Sequence, residues 1–236
     1  DVEVAQSGYY GMRTASATDL SGRQYHVEVD SANVGTVTLA DTNGWTNFQH
    51  SPGVLLGQLD PGVYEVKLVA ENDGQNHDTL DVFRLQEIDV AGGSQTRIEA
   101  EDFSYFYDNA GQPNIINGGG SSGGKVVGSI YANEWLDYGV YVEADKQYKL
   151  TASLAVPEPH DPDTIIFSVD GVEVGRITDF GPTGSFYDFI EFEMPGLLDL
   201  SQGMHMIRAT AGTSIFNIDY LQLRAVPEPA SWGMLV

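Results

Sequence analysis

Apolar and polar residues alternate along most of this chain, in short runs broken by Gly, Pro, Asn and Asp. "GVYVEADKQYKLTASLAV" (139–156), "FSVDGVEVG" (167–175) and "GMHMIRATA" (203–211) are typical. A period of two predicts half-buried β-strands, and the punctuating residues predict tight turns between them. No long segment carries apolar residues at helical spacing, so the pattern predicts an all-β fold. One strand poses a problem. In "NIDYLQL" (217–223) strict alternation sets Ile218 and Tyr220 on one face and Asn217, Asp219, Leu221 and Leu223 on the other. A carboxylate sharing a face with leucines is costly to bury unless a cation or hydrogen-bond donor meets it. "TLDVFRL" (79–85) puts Asp81 in a similar setting.

The pattern repeats. "GVYVEADKQYKLTAS" resembles "DVEVAQSGYYGMRTAS" (1–16), and "FSVDGVEVG" resembles "VEVDSANVG" (27–35), with Asp170 over Asp30. "PTGSFYDF" (182–189) matches "DTNGWTNF" (41–48), setting Phe186 over Trp45, and "IDYLQL" matches "LDVFRL", setting Asp219 over Asp81. With "LDLSQGMHMIRATA" (198–211) over "GQLDPGVYEVKLVA" (57–70), setting Gly203 over Gly62, five blocks recur in one order, with small shifts at turns. The second copy also has a leading portion, 96–138, with no counterpart before Asp1, so the first copy reads as truncated. The expected organisation is a partial β-sandwich over 1–88, a polar linker "DVAGGSQT" (89–96), a complete β-sandwich over 97–224 and a tail over 225–236.

Composition narrows function. With 42% hydrophobic and 19% charged residues in 236, the chain can bury a core. A net charge of −23, with eleven Lys plus Arg, argues against nucleic acid as a partner, since backbone phosphates demand clustered cations. It suits a solvated, secreted surface and can attract divalent cations. The absence of cysteine excludes disulfides and thiolate metal sites.

The motifs "IEAEDF", a Gly-rich loop leading into "VVGSIYANEWLDYGVYV", "YKLTASLA", "FSVDGVEVG", "PTGSF", "GMHMIRATA" and "FNIDYLQL" fill 97–224 in order. Together they resemble carbohydrate-binding module family 6, a galactose-binding-like jelly roll. The resemblance implies an all-β jelly-roll sandwich in two tandem copies, the first incomplete. It also implies a sugar site made of an aromatic after the Gly-rich loop, a second aromatic and an asparagine. Phe186 takes the second aromatic position and Asn217 the asparagine. Ser129 stands at the first aromatic position, and Tyr131, on the same face, is the substitute. In the first copy Trp45 keeps the second aromatic, but Thr79 replaces the asparagine. A sugar offers C–H patches to an aromatic face and hydroxyls to an amide, so these residue types suit the task. Trp135, in an alternating strand, reads as a core side chain.

Glu99 and Glu101 form an i, i+2 pair, read as one face of a strand, where like charges are unfavourable unless solvated or bridged by a cation. The family has a structural calcium here, and Asp219 supplies a third carboxylate. Hard oxygen donors suit Ca²⁺, with carbonyls of the loop at 118–124 completing the shell. On this reading Asp219 meets a calcium ion. "GGSSG" (119–123) and "GGGSSG" (118–123) satisfy two enzyme motifs, but neither is followed by a helical pattern, so both are discounted. The five histidines show no zinc-binding spacing.

"VPEPASWGMLV" (226–236) resembles the start of a PEP-CTERM sorting signal, short of the ~20 apolar residues that span a bilayer. It implies export to the surface of a Gram-negative bacterium, with membrane contact only through the missing remainder. The expected protein is a monomeric, non-catalytic binder of polysaccharide or oligosaccharide. Two alternatives stay open: a matrix or adhesion protein using the sandwich for protein contacts, and the accessory region of a glycoside hydrolase whose catalytic domain lies elsewhere.

Overall fold

The computed structural model describes residues 1–39, 41–50, 53–71, 79–87, 89–118, 124–158, 163–213 and 215–227, with backbone alone for 49–50 and 79–87. The chain is built of strands. The first copy contains β1 (Val2–Val4), β2 (Gly8–Ala17), β3 (Arg23–Val29), β4 (Ala32–Leu39), β5 (Gln49–His50), β6 (Val54–Leu59), β7 (Gly62–Tyr64), β8 (Val66–Ala70) and β9 (Thr79–Glu87). The second copy contains β10 (Asp89–Ala91), β11 (Gln95–Glu99), β12 (Tyr105–Tyr107), β13 (Asn114–Ile116), β14 (Val126–Ile130), β15 (Trp135–Val142) and β16 (Lys146–Ala155). It continues with β17 (Asp163–Val169), β18 (Val172–Phe180), β19 (Ile190–Glu193), β20 (Leu198–Leu200), β21 (Gly203–Ala211) and β22 (Phe216–Ala225).

The second copy is a pair of facing sheets. One runs β10-β15-β21-β17-β18, with β12 beside β15. The other runs β13-β14-β22-β16-β19, with β11 on β22 and β20 on β16. Alternation does what the sequence predicts. Leu136, Tyr138, Val140 and Val142 of β15 point inward against Leu150, Ala152 and Leu154 of β16, all buried. Interdigitated inner faces of this kind make the core of a sandwich. Phe180 and Phe216 meet edge to face across it at 5.4 Å, an arrangement the ring quadrupoles favour. Two buried tyrosines satisfy their hydroxyls on backbone: Tyr138 donates to the Ala100 carbonyl at 3.1 Å and Tyr148 to that of Ala91 at 3.0 Å. Ala91 belongs to β10, which pairs in parallel with β15. Residues 89–91, expected as linker, are therefore built into the second sandwich.

The first copy repeats this pairing. Strand β2 lies between β9 and the pair β5 and β6, as β16 lies between β22 and the pair β19 and β20. Likewise β3 lies between β4 and β8, as β17 lies between β18 and β21. Its core, which includes Met12, Tyr25, Val27, Val37 and Leu56, is a separate cluster. Nothing among its described residues corresponds to β11–β14. Of the strand equivalent to β15, only β1 is present among them, paired with β7.

Register explains the mixed face of β22. Ser153 pairs with Tyr220 and Leu154 with Ile218, so Asp219 is an extra residue in β22. An inserted residue resets the phase of the strand. Phe216 and Ile218 before it, and Leu221 and Leu223 after it, all reach the core, while Tyr220 turns outward. The strict two-face assignment of 217–223 is thereby corrected. The first copy has the same feature: Ala15 pairs with Val82 and Ser16 with Leu80, stepping over Asp81.

Candidate functional site

A bulge in β14 organises the loop end of the second sandwich. Val127 pairs with Ile218 and Ile130 with Phe216, so Gly128 and Ser129 oppose Asn217 alone. Ser129 takes φ of 58°, uncommon for a residue with a Cβ. The amide it turns away from the ladder donates instead to Asn217 Oδ1 at 2.9 Å. A Cβ on Gly128 would lie 3.0 Å from that same oxygen and 2.9 Å from Ile116 Cδ1, so glycine allows this close approach without displacing either side chain.

The other end of the Asn217 amide, Nδ2, donates to the Phe186 carbonyl at 2.8 Å. Asn217 is 2% exposed. One buried amide thus joins the Ser129 bulge to the loop carrying Phe186. That loop is fixed at its base by Thr183, whose Oγ1 accepts from Val156 N at 2.9 Å and donates to Val156 O at 3.1 Å. Thr42 and Thr18 make the same pair of bonds, both 2.8 Å, below Trp45 in the first copy. There Trp45 is half-buried, and the side chain of Thr79 lies outside the described residues.

The structure therefore brings Ser129, Phe186 and Asn217 together, with Tyr131 two residues beyond the bulge. Tyr131 is 49% exposed. Phe186 is half-buried, whereas its neighbour Tyr187, for which the sequence pattern gives no signal, is 47% exposed. Trp135 is corrected: it is half-buried on the outer face of β15, with the Arg208 guanidinium 3.6 Å above its ring. Arg208 also forms a forked pair with Asp137, at 2.7 and 2.9 Å.

A concavity of about 590 Å³ lies at the opposite end of β16 and is lined by Asp145, Lys146, Gln147, Asp199, Ser201 and Pro227 among others. Its described lining offers no aromatic wall on which a sugar could stack.

Of the three expected calcium ligands, Glu99 and Asp219 are linked through an arginine, and Glu101 stands apart. Glu99 ends β11, while Glu101 sits in a 3₁₀ turn, Ala100–Asp102, so they do not share a strand face. Between Glu99 and Asp219 lies Arg97, which alternation alone does not single out. Its Nη2 donates to Glu99 Oε2 at 3.0 Å and lies 4.0 Å from Asp219 Oδ2, and the guanidinium covers the Tyr220 ring at 3.8 Å. Glu101 differs. Its Oε2 is buried without a hydrogen-bond partner. Burial, followed by the charges of Asp102 and Glu99, pushes its carboxyl above the usual range, against the pull of its own backbone amide. A cation would relieve that environment, and the donor chemistry is the hard oxygen set calcium takes. Among the described residues no three His, Cys, Asp or Glu side chains group closely enough to hold a metal. The loop at 119–123, expected to add carbonyls, lies outside those residues, as does the tail at 228–236. No helix among the described residues is long and apolar enough to cross a membrane.

Several known proteins are similar to this chain. It is 28% identical over 96 residues to an alpha-agarase of Alteromonas agarilytica, and spans 6% of that protein's length. Among solved structures it resembles a family 6 module of Cellvibrio mixtus lichenase 5A in complex with cellotriose, at 22% identity and a TM-score of 0.48, covering 56% of this chain and 97% of that one. It also resembles a module from Clostridium stercorarium in complex with cellobiose, at 21% identity and a TM-score of 0.47, covering 59% and 98%. The C-terminal module of a marine laminarinase from Zobellia galactanivorans is similar too, at 18% identity and a TM-score of 0.47, covering 55% and 98%. The family profile named carbohydrate binding module (family 6) matches residues 1–87 and again 99–225. With both segments matched, the chain belongs to carbohydrate-binding module family 6.

Proposed function

We propose that this chain binds polysaccharide without catalysing its cleavage, and that the second copy does so at its loop end. The observation that carries this is Asn217. It is spent on two main-chain bonds that set the Ser129 bulge, and Tyr131 after it, against the Phe186–Tyr187 loop. Exposed aromatic faces held rigidly on a sandwich are suited to the C–H patches of a sugar ring, since little freedom is lost on binding. In this reading Asn217 orders the site from beneath, while Tyr131, Phe186 and Tyr187 supply its walls. In the first copy Trp45 is the counterpart of Phe186.

We also propose a structural calcium held by Glu99, Glu101 and Asp219, whose carboxylates would have to close around the ion from the separate positions described above. Bound there, the ion would compensate the buried Glu101 oxygen and pin β11 to the terminal strand. The support is the unpartnered Glu101 Oε2 and the raised carboxyl. Export to a cell surface, expected from the "VPEP" tail, would place the module where polysaccharide is met.

A polysaccharide array tests the binding, using agarose, laminarin, lichenan and cellulose with the whole chain. Retention of at least one polymer is expected, reduced by Tyr131→Ala. Failure to bind any of them, or binding indifferent to changes at Tyr131, Phe186 and Tyr187, would overturn the assignment. Melting with and without a chelator tests the calcium. A ligand at 100 times its Kd adds ~2.7 kcal/mol, so an unchanged melting temperature contradicts it.

A further inference from the structure

Glu134 is a buried carboxylate with an unusual set of partners. It is 4% exposed. Its Oε2 accepts the main-chain N–H of Tyr131 at 2.8 Å, and its Oε1 accepts that of Asn109 at 2.9 Å. The charge is thus held by backbone amides from two segments far apart in sequence.

Each segment carries an exposed tyrosine. On one side, the turn 131–134 is closed by Glu134 N donating to Tyr131 O at 3.0 Å. It is moored to β21 by Asn133 N to Ala211 O at 2.7 Å and Ala211 N to Glu134 O at 2.9 Å. On the other, Asp108 folds its own turn, accepting Ala110 N on Oδ1 at 2.6 Å and Gly111 N on its carbonyl at 3.0 Å. Tyr107, which precedes this turn, donates its hydroxyl to Asn109 Oδ1 at 3.2 Å. Tyr107 is 50% exposed and Tyr131 49%.

We infer that Tyr107 is a second stacking surface of the sugar site, taking a further ring of a glycan whose first ring lies at Tyr131, and that Glu134 is the positioning residue that sets the two side by side. The inference rests on the sugar-binding role proposed above and deepens it. Single exposed aromatics are common and need no explanation. A buried ion is a different matter, because removing a carboxylate from water is costly and is offset only by full hydrogen bonding. Here all of that bonding goes to fixing two aromatic-bearing turns relative to each other. Preorganisation of this kind raises affinity by lowering the ordering cost of binding. A ligand bridging both rings must be an oligosaccharide or a polymer, so Tyr107 makes the site selective for chain length.

The test is calorimetric titration of the whole chain with agarose-, laminarin- and cellulose-derived oligosaccharides of one to six rings. Tyr107→Ala is expected to weaken the best hexasaccharide roughly tenfold, the scale of one stacked ring. It should leave the affinity for the corresponding one-ring sugar and the melting temperature unchanged. Tyr107→Phe, which keeps the ring, is expected to restore hexasaccharide affinity. Glu134→Gln offers an N–H where an amide needs an acceptor. It is expected to lower the ratio of six-ring to one-ring affinity as Tyr107→Ala does, a change that mere loss of stability does not produce. Equal affinities for every chain length in Tyr107→Ala and the unaltered chain would overturn the inference while leaving the proposed function standing. Should Glu134→Gln fail to fold, the tyrosine variants decide alone. An unaltered chain that binds no sugar overturns the proposed function and this inference with it.

Discussion

Asn217 is expected to matter to stability as well as to sugar. Replacing it with Ala strands the Ser129 N–H and the Phe186 carbonyl near the core edge. Leaving buried polar groups unsatisfied costs about 1–3 kcal/mol. Asn217→Ala should therefore lower the melting temperature and the glycan affinity together, whereas Tyr131→Ala should lower affinity only. A histidine supplies a second residue-scale prediction. His205 Nδ1 lies 2.7 Å from Asp170 Oδ2 and Nε2 lies 2.8 Å from the Ser201 carbonyl. The Asp170 hydrogen bond, joined by the Ser201 carbonyl and opposed by burial, raises its pKa above the ordinary 6.5. On Asp170 burial pushes upward, but the bonds from His205 and Met206 N outweigh it and hold the carboxyl below its usual range. A raised histidine contributes stability that is present in full below the unfolded value and lost as pH rises through the folded one. Melting temperature should thus fall from about pH 6.5 upward, and His205→Gln should flatten that slope. A slope unchanged in the variant would assign it to other groups.

At the scale of elements, much is legible in the sequence. Period-two alternation marks β15, β16 and β17 because each has one face on the core, and side chains on a strand must alternate. The repeat is legible for the same reason, since both copies obey one inward pattern. What alternation does not carry is an inserted residue. The bulge at Asp219 changes phase without changing composition, so strict alternation over "NIDYLQL" puts Leu221 and Ile218 on opposite faces. The 3₁₀ turn that separates Glu101 from Glu99 is hidden likewise, because "IEAEDF" fits an alternating strand. Its place in an alternating strand reads Trp135 as a core side chain, yet register sets it outward, under Arg208. At the site, the motif points to Phe186 and Asn217. Tyr187, Arg97 and Glu134 carry no motif, and their surroundings come from the fold alone. The bulge itself is open to test. Deleting Asp219 restores unbroken pairing and turns either Phe216 and Ile218 or Leu221 and Leu223 away from the core. A buried Phe or Leu lost from a core costs about 2–5 kcal/mol, so loss of the cooperative transition is expected. A deletion variant melting like the unaltered chain would show that the strand tolerates either phase.

For the whole molecule, the two copies are unequal. In the second, β22 is flanked by β16 on one side and by β11 and β14 on the other. In the first, β9 pairs with β2 alone among the described residues. Open strand edges invite association. Residues 1–88 expressed alone are expected to aggregate or to unfold without a cooperative transition, and a monomer that melts cooperatively would contradict this. The proposed sugar site lies in the second copy, where the Ser129 bulge and the Phe186 loop are joined by the buried Asn217 amide. The most direct measurement is the affinity of the whole chain for its best polysaccharide, compared between two variants. One carries Tyr131→Ala with Phe186→Ala, and the other carries Lys146→Ala with Asp199→Ala at the opposite pole. Loss of about 1–3 kcal/mol of binding in the first, with none in the second, is the predicted result. Unchanged affinity in the first variant, or a loss confined to the second, would contradict the placement of the site.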